Sequence, residues 1–169
     1  MPVSRLNHAV LYVRDVAASV AFYSDVLGFR QVMGGPGAAF LQAEAGNNDH
    51  DLGLFEIGGS AGPSAAGRGA VGLYHLAWEV QTLDDLMRIR AALSSAGALV
   101  GASDHGTTKS LYAHDPDGIE FEVCWLVPAD LLDDAALAGR STVRPLDLAG
   151  EIARYGADTR GGVGVSHAA

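Results

Sequence analysis

Two histidines and two glutamates recur in this chain at matched places. His8 lies in LNHAVLYV (6–13) and His75 in LYHLAWEV (73–80), 67 residues apart, within a shared Leu-x-His-x-x-x-x-Val pattern. Glu56 follows His8 by 48 residues, in LGLFEIG, and Glu122 follows His75 by 47, in IEFEV. Imidazole nitrogens and carboxylate oxygens are donors for Fe(II), Mn(II), Ni(II) or Zn(II). Two His and one carboxylate leave open positions of the kind non-haem iron uses to activate oxygen. Two His and two Glu make a fuller site, suited to Lewis-acid work on a bound substrate. A half-buried, hydrogen-bonded strand histidine would explain either His alone; the repetition at matched spacing favours a metal.

Glu120 and Glu122 stand two residues apart just after the turn DPDG (115–118). Residues i and i+2 of a strand point to the same face, so parity does not choose between them. The repeat does: Glu122, not Glu120, sits nearly as far from His75 as Glu56 does from His8. Glu120 is expected at the rim of a cleft, as a bystander. Cys124, the sole cysteine, has no neighbour in sequence that would activate it and is expected to pack as core.

These residues need elements to position them, and the chain reads as two similar halves. Each histidine strand is followed by a helix. The first, DVAASVAFYSDVLGF, has Val16, Val20, Tyr23 and Leu27 at helical spacing and closes at Gly28. The second, TLDDLMRIRAALSSAG, opens on Thr82 as N-cap with acids in its first turn and closes at Gly97. Three strands are then expected in each half, near 29–34, 38–44 and 51–57, and near 98–103, 109–114 and 119–125, separated by Gly, Pro, Asn and Asp clusters. The fold class is α+β, built of two βαβββ modules around a curved, mixed, mostly antiparallel sheet cleft. The modules span 1–58 and 71–126, joined by a small-residue linker at 59–70. An extension over 127–169 carries two short helices, near 128–138 and 145–155, and a Gly-rich end from Gly161 that is expected to fray.

A formal net charge of −9 argues against nucleic acid or an anionic membrane surface as a partner, since both demand clustered Lys and Arg. There is no apolar run of membrane-spanning length and no basic start leading into an apolar stretch. With a lone cysteine this fits a reducing, cytoplasmic setting and a small-molecule partner.

The segments HAVLYVRDVAASVAFYSDVLGF, YHLAWEV and DHGTTKSLYAHDPDGIEFEV, with the paired-module layout, resemble the vicinal oxygen chelate superfamily. That family includes glyoxalase I, fosfomycin and bleomycin resistance proteins and extradiol ring-cleaving dioxygenases. The resemblance covers about residues 4–126 and implies that Glu122, four residues past the turn glycine, ligates a metal together with His8 and His75. The stretch SDHGTTKSLYAHDPDG is similar to single-domain catechol-type extradiol dioxygenases. By that resemblance His105 hydrogen-bonds or protonates intermediates, and Tyr112, ten residues before Glu122, positions a substrate oxygen.

The implied activity is ring cleavage of a small catechol-like aromatic with O2. Fe(II) is the leading cofactor, with Mn(II), Ni(II) or Zn(II) as alternatives, and a homodimer is expected. NNDHDLGLF, resembling the same pattern, brings His50 to the pocket border; Phe40, Phe55 and Trp78 are further candidates for lining it. Glu56 keeps open a glyoxalase-like lyase or isomerase with a fourth ligand. A metal-free drug binder is the rival from another class. His114 is expected at the surface, and His167 lies in the tail expected to fray and is not a candidate.

Overall fold

A computed structural model describes residues 2–64, 66 and 69–162. Its contacts group into two compact units. Among the described residues, the first comprises 2–64 together with the turn Asp115–Gly118, and the second comprises 66, 69–114 and 119–162.

The first unit follows the order β1 (Ala9–Val13), α1 (Val16–Leu27), β2 (Arg30–Gly35), β3 (Ala38–Gln42) and β4 (Leu52–Glu56). Its sheet is ordered β1-β4-β3-β2, with β1 parallel to β4 and the other neighbours antiparallel. Asp15 caps α1 by accepting from Ala18 N, and Gly28 ends it in the left-handed region at φ 73°, where a Cβ would be strained. Leu11, Val13, Leu41, Leu52 and Leu54 form the buried face of the sheet, with Tyr23 of α1 and Phe29 also in the core. The DPDG turn is bound into this unit by two polar contacts. Arg14 Nη1 donates to Asp117 at 2.7 Å, and the Tyr23 hydroxyl donates to Asp115 at 3.2 Å.

The second unit repeats the order with β5 (Leu76–Glu79), α2 (Leu83–Ser95), β6 (Leu99–Asp104), β7 (Thr108–His114) and β8 (Glu120–Leu126). Thr82 and Asp85 form a reciprocal capping box at the start of α2. The sheet is ordered β5-β8-β7-β6-β9, where β9 is Arg144–Pro145, again with the first pair parallel and the rest antiparallel. Even the irregularities recur: a register shift falls between Gln31 and Met33 in β2 and between Leu99 and Gly101 in β6.

Three expectations need adjusting. The histidine strands are shorter than 6–13 and 73–80, because pairing begins only where Ala9 meets Leu52 and Leu76 meets Phe121. His8 and His75 therefore sit just ahead of their strands. The helix expected near 128–138 is divided into a single 3-10 turn at Ala129–Leu131 and α3 (Asp134–Gly139), since Asp133 accepts from Ala136 N and starts a new helix there. The second tail helix, α4, begins later than expected, at Leu148, and runs to Tyr155; a short strand β9 (Arg144–Pro145) pairs with β6 ahead of it. Residues through Gly162 pack within this unit: Gly161 N bonds Gln81 O and Gly162 N bonds Leu126 O. His167 and the end beyond Gly162 lie outside the described residues.

The extension is anchored by a buried charge network. Lys109, 1% exposed on the face of β7 away from Glu122, pairs with Asp104 at 2.6 Å and Glu151 of α4 at 3.0 Å. Arg144 of β9 also reaches Asp104, at 2.8 Å. Paired in this way, the charges offset part of the desolvation cost that burial imposes on each ion.

Candidate active site

Strand register decides which side chains of the second unit can act together. Phe121, Val123 and Trp125 of β8 alternate with Glu120, Glu122 and Cys124, and the first set is buried while Glu120 and Glu122 are part-exposed on the opposite, open face. Across from them on β7 stand His114, Tyr112 and Ser110, paired with Glu120, Glu122 and Cys124 in turn. On the other side, β5 runs parallel with Ala77 opposite Glu122, so His75, two residues earlier, has the same facing.

His75 Nε2 consequently lies 3.2 Å from Glu122 Oε2. The second oxygen of Glu122 accepts from the Ser110 hydroxyl. His75 Nδ1 is buried with no hydrogen-bond partner and stands 3.9 Å from Glu120 Oε1, too long for a direct bond. Tyr74 packs its ring on His75 at 4.6 Å. Glu120 also faces the exposed His114, at 3.8 Å.

His105 occupies the β6–β7 turn, which closes through His105 N to Thr108 O. Its Nε2 lies 2.9 Å from the Tyr112 hydroxyl, and the His75 and Tyr112 rings are 6.0 Å apart. Burial, and then the charge of Glu122, push the Tyr112 phenol above its ordinary pKa, so it stays a protonated donor through neutral pH. The same two influences, in the same order and with help from Glu79, push the Cys124 thiol up to about 12. Cys124 is buried and unactivated, as a packing residue should be.

In the first unit the geometry separates residues that the spacing had grouped. His8 follows the parity of exposed Val10 and Tyr12, and its ring meets His50 at 4.5 Å. His50 continues to Phe40 at 5.1 Å, and Phe40 to Phe55 at 5.8 Å, giving an aromatic cluster on the open face of that sheet. Glu56 has the opposite parity, that of buried Leu52 and Leu54, and its Oε2 accepts from Val16 N at 3.0 Å. It caps the positive end of α1. Trp78 likewise falls on the wrong face for a pocket shared with Glu122: it pairs with Val123, whose side chain points to the buried side.

Among the described residues no three His, Cys, Asp or Glu side chains are gathered to hold a metal ion; the second unit assembles two donors, His75 and Glu122. Ser110 and Tyr74 were not foreseen. Ser110 was legible in principle, since it shares the parity of Tyr112 two residues on, but its partner depends on cross-strand register.

This repeated module, with its histidine ahead of the first strand and its glutamate on the last, defines a class. Residues 5–123 match the model of the Glyoxalase/Bleomycin resistance protein/Dioxygenase superfamily, and the chain belongs to that family. It is 36% identical over 115 residues to biphenyl-2,3-diol 1,2-dioxygenase 3 of Rhodococcus globerulus, covering 68% of this chain and 59% of that protein. It is 30% identical over 123 residues to catechol-2,3-dioxygenase of Bacillus subtilis (strain 168), covering 71% of this chain and 41% of the other. The chain thus spans about half the length of these curated relatives. Among solved structures, a glyoxylase/bleomycin resistance protein/dioxygenase domain from Frankia sp. EAN1pec shares the fold, with a TM-score of 0.61 at 24% identity over 73% of this chain and 92% of that one. No helix among the described residues is long and apolar enough to cross a membrane.

Proposed function

We propose that this chain is an extradiol dioxygenase that cleaves a small catechol-like aromatic with O2. The observation that carries the reading is the coexistence on one sheet face of two pairs: His75 with Glu122, and His105 with Tyr112. The similarity to two diol dioxygenases supports the choice of substrate class.

The first pair fits a divalent cation, Fe(II) foremost. A neutral imidazole nitrogen and a carboxylate oxygen are donors such ions take, Ser110 steadies the carboxylate, and the unpartnered Nδ1 of His75 beside Glu120 suits a ligand whose other nitrogen donates to a carboxylate. His8 is the proposed third donor, by its place in the repeat and by family resemblance. When bound, the cation supplies a Lewis-acidic centre for the diol oxygens and, if redox-active, access to dioxygen chemistry.

The chain's own residues supply the rest. Tyr112 presents a hydroxyl held neutral, fit to position a substrate oxygen. His105, at its elbow, can take a proton from a diol hydroxyl and return it later, the service imidazole most often performs as general acid and base. In the first unit, His50 and Phe55, in the cluster with His8 and Phe40, offer apolar faces for an aromatic ring.

A four-ligand, glyoxalase-like site is disfavoured by the capping role of Glu56 and by its facing. An aerobic panel of catechols, read by oxygen uptake and by the yellow ring-fission product, tests the proposal. Metal-dependent turnover without oxygen consumption would favour the lyase instead.

A further inference from the structure

The C-terminal extension does more than cover a sheet edge: it reaches the histidine of the His105–Tyr112 pair. Chain crossing at two glycines brings it there. A Cβ added to Gly106, next to His105, would meet Ala136 O at 2.3 Å and Gly139 Cα at 2.8 Å, and one added to Gly139 would meet Gly106 Cα at 2.9 Å. The backbones touch because neither carries a side chain. Just beyond, the extension is fixed to β6, where Asp104 pairs with Arg144 in register and through their side chains.

Between these anchors the chain turns sharply. The Thr142 backbone N–H and hydroxyl both donate to Gly139 O, at 2.9 and 2.8 Å. With both donors engaged, the Thr142 carbonyl comes 3.3 Å from His105 Nδ1. A carbonyl can only accept, so this contact is a hydrogen bond only if Nδ1 carries the proton. A neutral His105 then has its lone pair on Nε2, 2.9 Å from the Tyr112 hydroxyl, which must be the donor there.

We propose that the C-terminal extension is a positioning element that selects the Nδ1–H tautomer of His105 through the Thr142 carbonyl, leaving Nε2 as the acceptor beside Tyr112. The extension thereby sets which ring nitrogen can take a proton on the open face of the sheet. A histidine free in water carries its proton mainly on Nε2, so the selection opposes the default. The consequence for turnover rests on the dioxygenase reading; the tautomer does not.

The test is long-range 1H–15N correlation of the His105 ring in the 169-residue chain at a pH where the imidazole is neutral, in chelator, so that neither metal nor catechol enters. The expected result is a protonated Nδ1 and a bare Nε2. Gly139→Ala, which forces the crossing backbones apart, and Arg144→Gln, which loosens β9, should each move population toward Nε2–H. If Gly139→Ala does not fold, Arg144→Gln carries the test alone. If the chain turns over catechols, these variants should lower kcat by about 2–10-fold with KM nearly unchanged, the scale of one neutral hydrogen bond. A wild-type ring protonated mainly on Nε2, or an Nδ1–H form unchanged in the folded variants, overturns the proposal. Absence of catechol turnover with the tautomer shift intact would count against the activity alone.

Discussion

His75, just ahead of β5, faces Glu122 on the neighbouring parallel strand β8, with Nε2 of one 3.2 Å from Oε2 of the other. The spacing follows from register: Ala77 lies opposite Glu122, and His75, two positions earlier and just ahead of β5, shares its face at the strand mouth. Ser110, across on β7, holds the second carboxylate oxygen. The arrangement brings an imidazole nitrogen and a carboxylate oxygen side by side, two donor types that divalent ions take.

His75→Ala and Glu122→Gln should each abolish retention of iron after desalting, measured by metal analysis. Ser110→Ala should weaken retention by about 10–100-fold, the usual cost of losing an outer partner of a ligand. Iron retained at wild-type stoichiometry by His75→Ala would rule out His75 as a ligand.

Glu56→Ala separates two accounts of one carboxylate. With Glu56 capping Val16 N, the variant keeps its metal and loses about 0.5–1 kcal/mol of stability in urea unfolding. A fourth ligand would instead show as loss of metal with it.

The two halves are legible in the sequence because hydrophobic spacing, caps and turn residues repeat with similar offsets. Thr82 and Gly28 act where the pattern put them. What spacing could not decide was facing. Glu56 and Glu122 occupy equivalent places by count, yet Glu56 takes the parity of Leu52 and Leu54 while Glu122 opposes that of Phe121 and Val123. A one-residue difference in offset, 48 against 47, is enough to reverse a strand side chain. Trp78 pairs with Val123 and so takes the facing opposite to Glu122. The hold of residues 134–145 on His105 was illegible because it depends on two glycines meeting across more than thirty residues.

Acid should weaken the second unit through Asp104. Burial alone would raise its carboxyl, but the Lys109 hydrogen bond, the Gly106 N–H and the nearby Lys109 and Arg144 charges outweigh that and leave it lowered. A depressed folded value means the contribution is complete above the unfolded value, ~3.9, and disappears as pH falls through the folded one. Urea midpoints should therefore decline below about pH 4, and Asp104→Asn should flatten that decline. Lys109→Ala, which leaves Glu151 and Asp104 facing a void, should cost about 3–5 kcal/mol at neutral pH.

Cys124 should resist alkylation in the native chain at pH 8 and react on unfolding, as mass spectrometry would show. Burial together with the Glu122 and Glu79 charges keeps its thiolate scarce. Rapid native-state labelling would mean that the open face of β8 admits solvent far more freely than the structure indicates.

His105→Ala should lower turnover by about 10²–10⁴-fold while iron content stays at wild type, because His105 contacts Tyr112 and Thr142 and not the donor pair. Tyr112→Phe should reduce turnover less and retain metal. With its phenol held above the ordinary value, Tyr112 should contribute no fall in activity up to pH 9.

Supplying the Fe(II)-loaded chain with catechols in air, and recording oxygen uptake against ring-fission product, decides whether it is a dioxygenase. One O2 should be consumed per ring opened for at least one small catechol, and none with His75→Ala. Stoichiometric iron, lost in His75→Ala, with no oxygen consumed on any catechol, would contradict the dioxygenase reading.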